Sequence, residues 1–155
     1  RAAAREAQAR ELQAKLDAEW SQVQQRVAGA KGRKPRVLFV LSHSASPQVS
    51  GEKTAAHSMI GYAGGVNALG GFSGYRPMTA EAMASAAPDI ILTSTQSIEA
   101  HGGVDKFWQR PELALTPAFK KRSLIMQDAL LLLGFGPRTP AAVAELHEKF
   151  LASVA

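Results

Sequence analysis

Residues 37–41, Val-Leu-Phe-Val-Leu, form an apolar run with no polar residue in it. A strand with one face in water alternates apolar and polar side chains, so an unbroken run needs apolar cover on both faces. A second such strand is predicted at residues 89–93 and a shorter third at 123–126. Helical patterns alternate with them: residues 52–62, residues 79–86 with Thr79 as cap, residues 104–109, and a last helix to about Val154. Thr139-Pro140 opens that last helix, a cap followed by proline at the first helical position. Residues 43–51 read as a polar loop, and the Gly-rich stretch 66–77 as irregular. The order predicts an α/β fold, a Rossmann-like parallel sheet with right-handed crossovers.

Ahead of this lobe, residues 2–28 contain neither Pro nor Gly and consist mostly of strong helix formers. Leu12, Leu16, Trp20, Val23 and Val27 recur at three- and four-residue intervals, one stripe on a helix roughly 40 Å long. Gly29, Gly32 and Pro35 end it. The predicted organisation is a long helix over residues 1–31 lying along an α/β lobe over residues 35–155.

With 155 residues, 46% of them hydrophobic, the chain can bury one substantial core. No apolar run approaches the length of a membrane span. The net charge of +5 comes partly from two clusters, Lys31-Arg33-Lys34-Arg36 and Lys120-Lys121-Arg122. Both flank predicted strands and lack interleaved aromatic platforms, so nucleic acid is not an expected partner. The absence of cysteine removes thiol catalysis, disulfides and cysteine zinc sites. The chain opens at Arg1 with ten residues too polar for a secretory signal core. It therefore reads as part of something longer, whose targeting signal lies upstream.

Ligands of open α/β sheets sit beyond the carboxyl ends of the strands. Those ends, with the loop before residue 79, gather His43, Ser44, Ser46, Gln48, Tyr75, Arg76, Gln96, Met126 and Gln127. This is a polar and aromatic rim, not a catalytic constellation. No Gly-x-Ser-x-Gly elbow is present. His43, His57, His101 and His147 fall on different elements without metal-binding spacing. Gly64-Gly65 and Gly70-Gly71 lack the Lys-Ser/Thr of a phosphate loop. His57 and His147 read as packing or surface residues, His101 as part of a turn, and His43 alone stands at a strand's carboxyl end. Tyr75-Arg76 is the strongest pair: arginine forks onto carboxylates and tyrosine offers a flat face with a polar tip. Together they predict a planar ligand bearing acids.

Several motifs in succession carry a resemblance: the long helix, the Val-Leu-Phe-Val-Leu strand, Gly51-x-x-Thr54-Ala55-Ala56 and Ala63-Gly64-Gly65-x-Asn67. Gly74-Tyr75-Arg76-Pro77 and Leu132-Leu133-Gly134-Phe135-Gly136-Pro137-Arg138 complete it. In these the chain resembles the haem-binding proteins of bacterial ABC importers, part of a two-lobed class (class III) that also takes cobalamin and ferric siderophores. The resemblance implies a periplasmic binding protein, not an enzyme, of which this chain is the interlobe helix and the carboxyl-terminal lobe. It further implies haem between two lobes, with Arg76 on a propionate, Tyr75 along the cleft wall and His43 as an axial iron ligand. Ser44, Gln48, Met126 and Gln127 would complete the contacts, and Glu81 would dock onto the membrane permease. The amino-terminal lobe, usual source of the principal iron-ligating tyrosine, is not in this sequence. A lone lobe is expected to bind haem weakly and to self-associate through its uncovered face. Cobalamin or a ferric siderophore is the alternative ligand, a nucleotide-binding enzyme domain or a helical adaptor the alternative class.

Overall fold

The computed structural model of the chain describes residues 2–30, 34–42, 47–134 and 138–154. Helix α1 (Ala2–Gly29) precedes a sheet whose central strands are β1 (Arg36–Leu41) and β5 (Ile90–Ser94). Flanking them in chain order are β2 (Gln48–Ser50), β3 (Val66–Asn67), β4 (Tyr75–Pro77) and β6 (Leu124–Gln127). The spatial order is β4-β2-β1-β5-β6, with β3 beside the start of β1. Helices α2 (Ala55–Tyr62), α3 (Ala80–Ala86), α4 (Thr95–Ala100), α5 (Val104–Trp108), α6 (Pro117–Lys121), α7 (Ala129–Leu133) and α8 (Thr139–Val154) cover it.

The expected two-sided burial is present in β1 and β5. Val37 and Phe39 enter one apolar cluster with Met59 and Ile60 of α2 and Val143, Leu146 and Phe150 of α8. Leu38 and Val40 enter a second cluster with Met83 of α3, Ile98 of α4 and Phe107 and Trp108 of α5. Alternate residues thus feed opposite layers, each fully buried side chain contributing about 1.5–3 kcal/mol of burial.

The sheet is mixed rather than wholly parallel. β1, β3, β5 and β6 run parallel, but β2 is antiparallel to both β1 and β4. β2 and β4 fall in stretches that read as loop, because each is three residues long and held by pairing at the edge rather than by an apolar run of its own. Proline is tolerated at Pro77 because edge strands can spare an N–H. Helix α2 starts at Ala55, later than its pattern suggests, since Lys53 takes a left-handed φ of 59° and Thr54 caps the next turn through the His57 N–H.

Only the last third of α1 is held. Val23 is buried and Trp20 and Val27 pack on the α2/α8 cluster, whereas Leu12 remains 53% exposed. Trp20 meets Tyr62 edge-on at 5.4 Å, and Arg26 lies 3.6 Å from Glu148 on α8. The predicted stripe therefore splits into a docked end and a bare stretch.

Candidate functional site

The carboxyl ends of β1, β5 and β6 form one hydrogen-bonded seam. β1 runs out into Ser42, whose N–H donates to Ser97 Oγ at 2.9 Å. Ser94, last residue of β5, caps α4 by accepting from the Ser97 N–H at 3.0 Å and donates its own hydroxyl to Ser97 Oγ at 2.9 Å. Ser42 Oγ lies 2.7 Å from His101 Nε2, and the His101 ring packs edge-on against Phe107. Burial, then the nearby Arg110 charge, lowers the imidazole pKa below the usual range, with Glu112 opposing. Beyond β6, Asp128 caps α7 at the Leu130 and Leu131 N–H groups and accepts from Gln96 Nε2 at 3.0 Å. The Gln96 bond is the main reason its carboxyl pKa falls below the ordinary value. Gln96, expected to face a ligand, instead joins α4 to α7.

The predicted rim residues do not form one cluster. β4 and β6 are opposite edges of the sheet, four strand spacings or about 19 Å apart. Tyr75, Arg76 and Gln48 therefore stand at one end of the rim, Met126 and Gln127 at the other. Gln48, opposite Leu41, is level with the carboxyl edge and exposed. Tyr75 lies two residues back from that edge, opposite Ser50. His43, Ser44 and Ser46 lie outside the described residues.

The reading of Tyr75 and Arg76 as one converging grip is corrected by the strand they occupy. Consecutive residues of a strand leave on opposite faces. Arg76 pairs with Val49, which belongs to the cluster of Val40 and α3, and its guanidinium sits 4.3 Å over the Phe72 ring. There it borders a groove of about 400 Å³ with Leu69, Pro77, Thr79 and Ala82. Tyr75 emerges on the other face, partly exposed, its phenol pKa raised by burial. Met126 and Gln127 divide in the same way. Met126 is exposed on the α5/α6 side, while Gln127 is buried with neither amide atom partnered. Glu81 is exposed in the first turn of α3, one helix beyond the edge strand.

The motifs that carry the resemblance serve the scaffold near this rim. Gly51 has no room for a side chain: a Cβ would meet the Phe72 ring and carbonyl at 2.5 Å. Asn67 Nδ2 lies 3.3 Å from both the Ser50 and Gly51 carbonyls and 3.1 Å from His57 Nδ1, pinning the turn after β2. Gly64 leaves space for His147, which is buried and sets Nδ1 2.9 Å from the Ala63 carbonyl. His101, Ser97 and Asp128 went unread as rim residues. The available signal was a Ser or Asp directly after a strand and before a short helical pattern, the position of an N-cap.

Among the described residues no group of three or more His, Asp or Glu side chains could hold a metal ion, and no helix is long and apolar enough to cross a membrane. The carboxyl edge thus presents separated groups, with Gln48 and Tyr75 at one end and the Ser42–Ser97–His101 contacts and Asp128 toward the other.

Residues 1–129 match the family model described as periplasmic binding protein. The chain belongs to that family. It is a family of binding proteins. No curated protein matches the chain. Among solved structures, the periplasmic haem-binding protein BhuT, in complex with two haems, is 42% identical with a TM-score of 0.89. The periplasmic haem-binding protein RhuT from Roseiflexus sp. RS-1, in apo form, is 35% identical with the same TM-score. The periplasmic haem-binding protein HutB of Vibrio cholerae is 27% identical with a TM-score of 0.77. These matches cover 94%, 94% and 95% of this chain but 56%, 56% and 57% of the respective relatives. The chain thus spans just over half the length of the relatives it matches.

Proposed function

We propose that this chain is the helix-plus-carboxyl-terminal-lobe portion of a periplasmic haem-binding protein that passes haem to an ABC permease in the inner membrane. The observation that carries the reading is the 42% identity to BhuT over 94% of the chain. In this reading residues 1–31 are the interlobe backbone and residues 35–155 one wall of the cleft. An amino-terminal lobe supplies the opposing wall and the principal iron ligand.

The geometry supports a wide ledge rather than a tight pocket. A flat macrocycle lying across the seam reaches from Gln48 and Tyr75 at one edge toward Gln96 and Asp128 beyond the ends of β5 and β6 at the other, while Met126 turns away to the α5/α6 side. Tyr75 offers an aromatic face, and Arg76, on the opposite face of β4, serves an acid at the ligand's margin rather than sharing Tyr75's contact. His43 and Ser44 come just after Ser42 in the sequence, and a neutral imidazole is a suitable second axial ligand to iron. Glu81 presents a carboxylate at the start of α3, suited to arginines on the permease.

Hemin titration of the intact protein, followed at the Soret band, tests the reading. Saturable stoichiometric binding is expected, weakened about tenfold by Tyr75→Ala through loss of the aromatic face. Glu81→Ala should leave the titration unchanged and lower uptake into cells. Absence of a Soret shift, or stronger binding of cobalamin than of hemin, would overturn the assignment.

A further inference from the structure

A second recess lies outside this ledge. It is a groove of about 780 Å³ along the free edge of β6, walled by α5, by the 3-10 turn Pro111–Leu113 and by α6. That volume is within the range of small-molecule sites. Its floor is apolar: Leu124 and Met126 of β6, with Trp108 and Phe119 set edge-to-face at 6.0 Å.

Arg122 makes the groove more than an apolar recess. It ends α6 in a left-handed conformation, φ 54°, where glycine sits free of strain and another residue costs about 1–3 kcal/mol. A cation at a helix end is favoured by the helix dipole, but Lys120 and Lys121 already supply that charge. The Arg122 guanidinium lies 4.2 Å over the Phe119 ring and 5.6 Å from that of Trp108. That contact uses the face of the guanidinium and leaves the N–H donors along its edge, with no carboxylate paired to them among the described residues. Arg110, on the same wall, is by contrast satisfied by Glu112 at 2.8 Å. Asp105 is the one acidic residue among the described residues lining the groove, and Arg122 brings it a cation.

We propose that this groove is a second ligand site, separate from the haem ledge, for a planar aromatic carboxylate. The ring lies against Trp108, Phe119 and Met126, and the carboxylate takes a bidentate bond from Arg122. The site does not depend on the haem reading, because its charge and its aromatic walls belong to the layer on one face of the sheet, past the β6 edge.

The test is titration of the intact protein with 2-naphthoate, followed by calorimetry and by the Trp108 indole N–H resonance. Saturable binding is expected, with the Trp108 signal shifting and that of Trp20, in the other layer, staying in place. Arg122→Gln should weaken binding about tenfold or more, Arg122→Lys less, since a lysine keeps the charge and loses the fork. The uncharged 2-naphthamide should bind as weakly as naphthoate binds Arg122→Gln. Hemin titration of Arg122→Gln should match wild type, so that failure of the haem assignment and failure of this one are read separately. The proposal is overturned by an absence of saturable binding at millimolar naphthoate, by wild-type affinity in Arg122→Gln, or by displacement of naphthoate when hemin is added.

Discussion

His101 holds the first residue after β1 through Ser42 while its own ionisation is disfavoured by burial and by Arg110. The unfolded chain takes up a proton near pH 6.5, before the folded chain does. The stability His101 contributes is therefore complete above that pH and is lost as pH falls through 6.5 toward the lower folded value. Urea midpoints measured at about pH 7.5 and pH 5 should drop less for His101→Gln, which keeps an acceptor for Ser42 without titrating. An equal drop in the two proteins would contradict this. At this scale the sequence was legible where one residue type has one local job. The cap at Thr79, taken from its position before a helical pattern, is made. It misled where adjacency stood in for proximity, since Tyr75 and Arg76 are neighbours on the chain yet point to opposite faces of β4. The partnering of Ser42 with His101, 59 residues apart, leaves no local trace.

Among the elements, α1 separates what a hydrophobic stripe states from what it does not. The three- and four-residue spacing correctly indicated a helix, but spacing carries no information about which turns meet a partner. Trp20→Ala should destabilise the fold by about 1–3 kcal/mol, since it strips apolar cover from α2 and α8, while Leu12→Ala stays within about 0.5 kcal/mol. Urea denaturation measures both, and comparable losses would contradict the docked-end description. Strands β1 and β5 were readable because two-sided burial leaves an unbroken apolar run. β2 and β4 were not, because three residues pairing at an edge need no such signature. The short helices α4 and α6 escaped for a related reason, each being little more than one turn held by Ser94 or Thr116.

For the whole molecule, the proposed ledge is an open surface, and a ligand held there is covered on one side only. The chain alone is expected to associate with itself through the ledge and the bare part of α1, raising its apparent mass in light scattering as concentration increases. A constant monomer mass at high concentration would argue that neither surface needs a cover. The two-layered lobe as a whole was evident from a handful of apolar runs, but the breadth of the rim was not, because strand order is a property of the sheet and not of any segment. α1 adds a mechanical consequence. Held near Trp20 and exposed at Leu12, it projects from the α2/α8 surface that anchors it. At about 1.5 Å per residue, a tilt of α1 at that contact displaces its first turns farther than its docked ones, so small differences in how Trp20 and Val23 pack are magnified along its length.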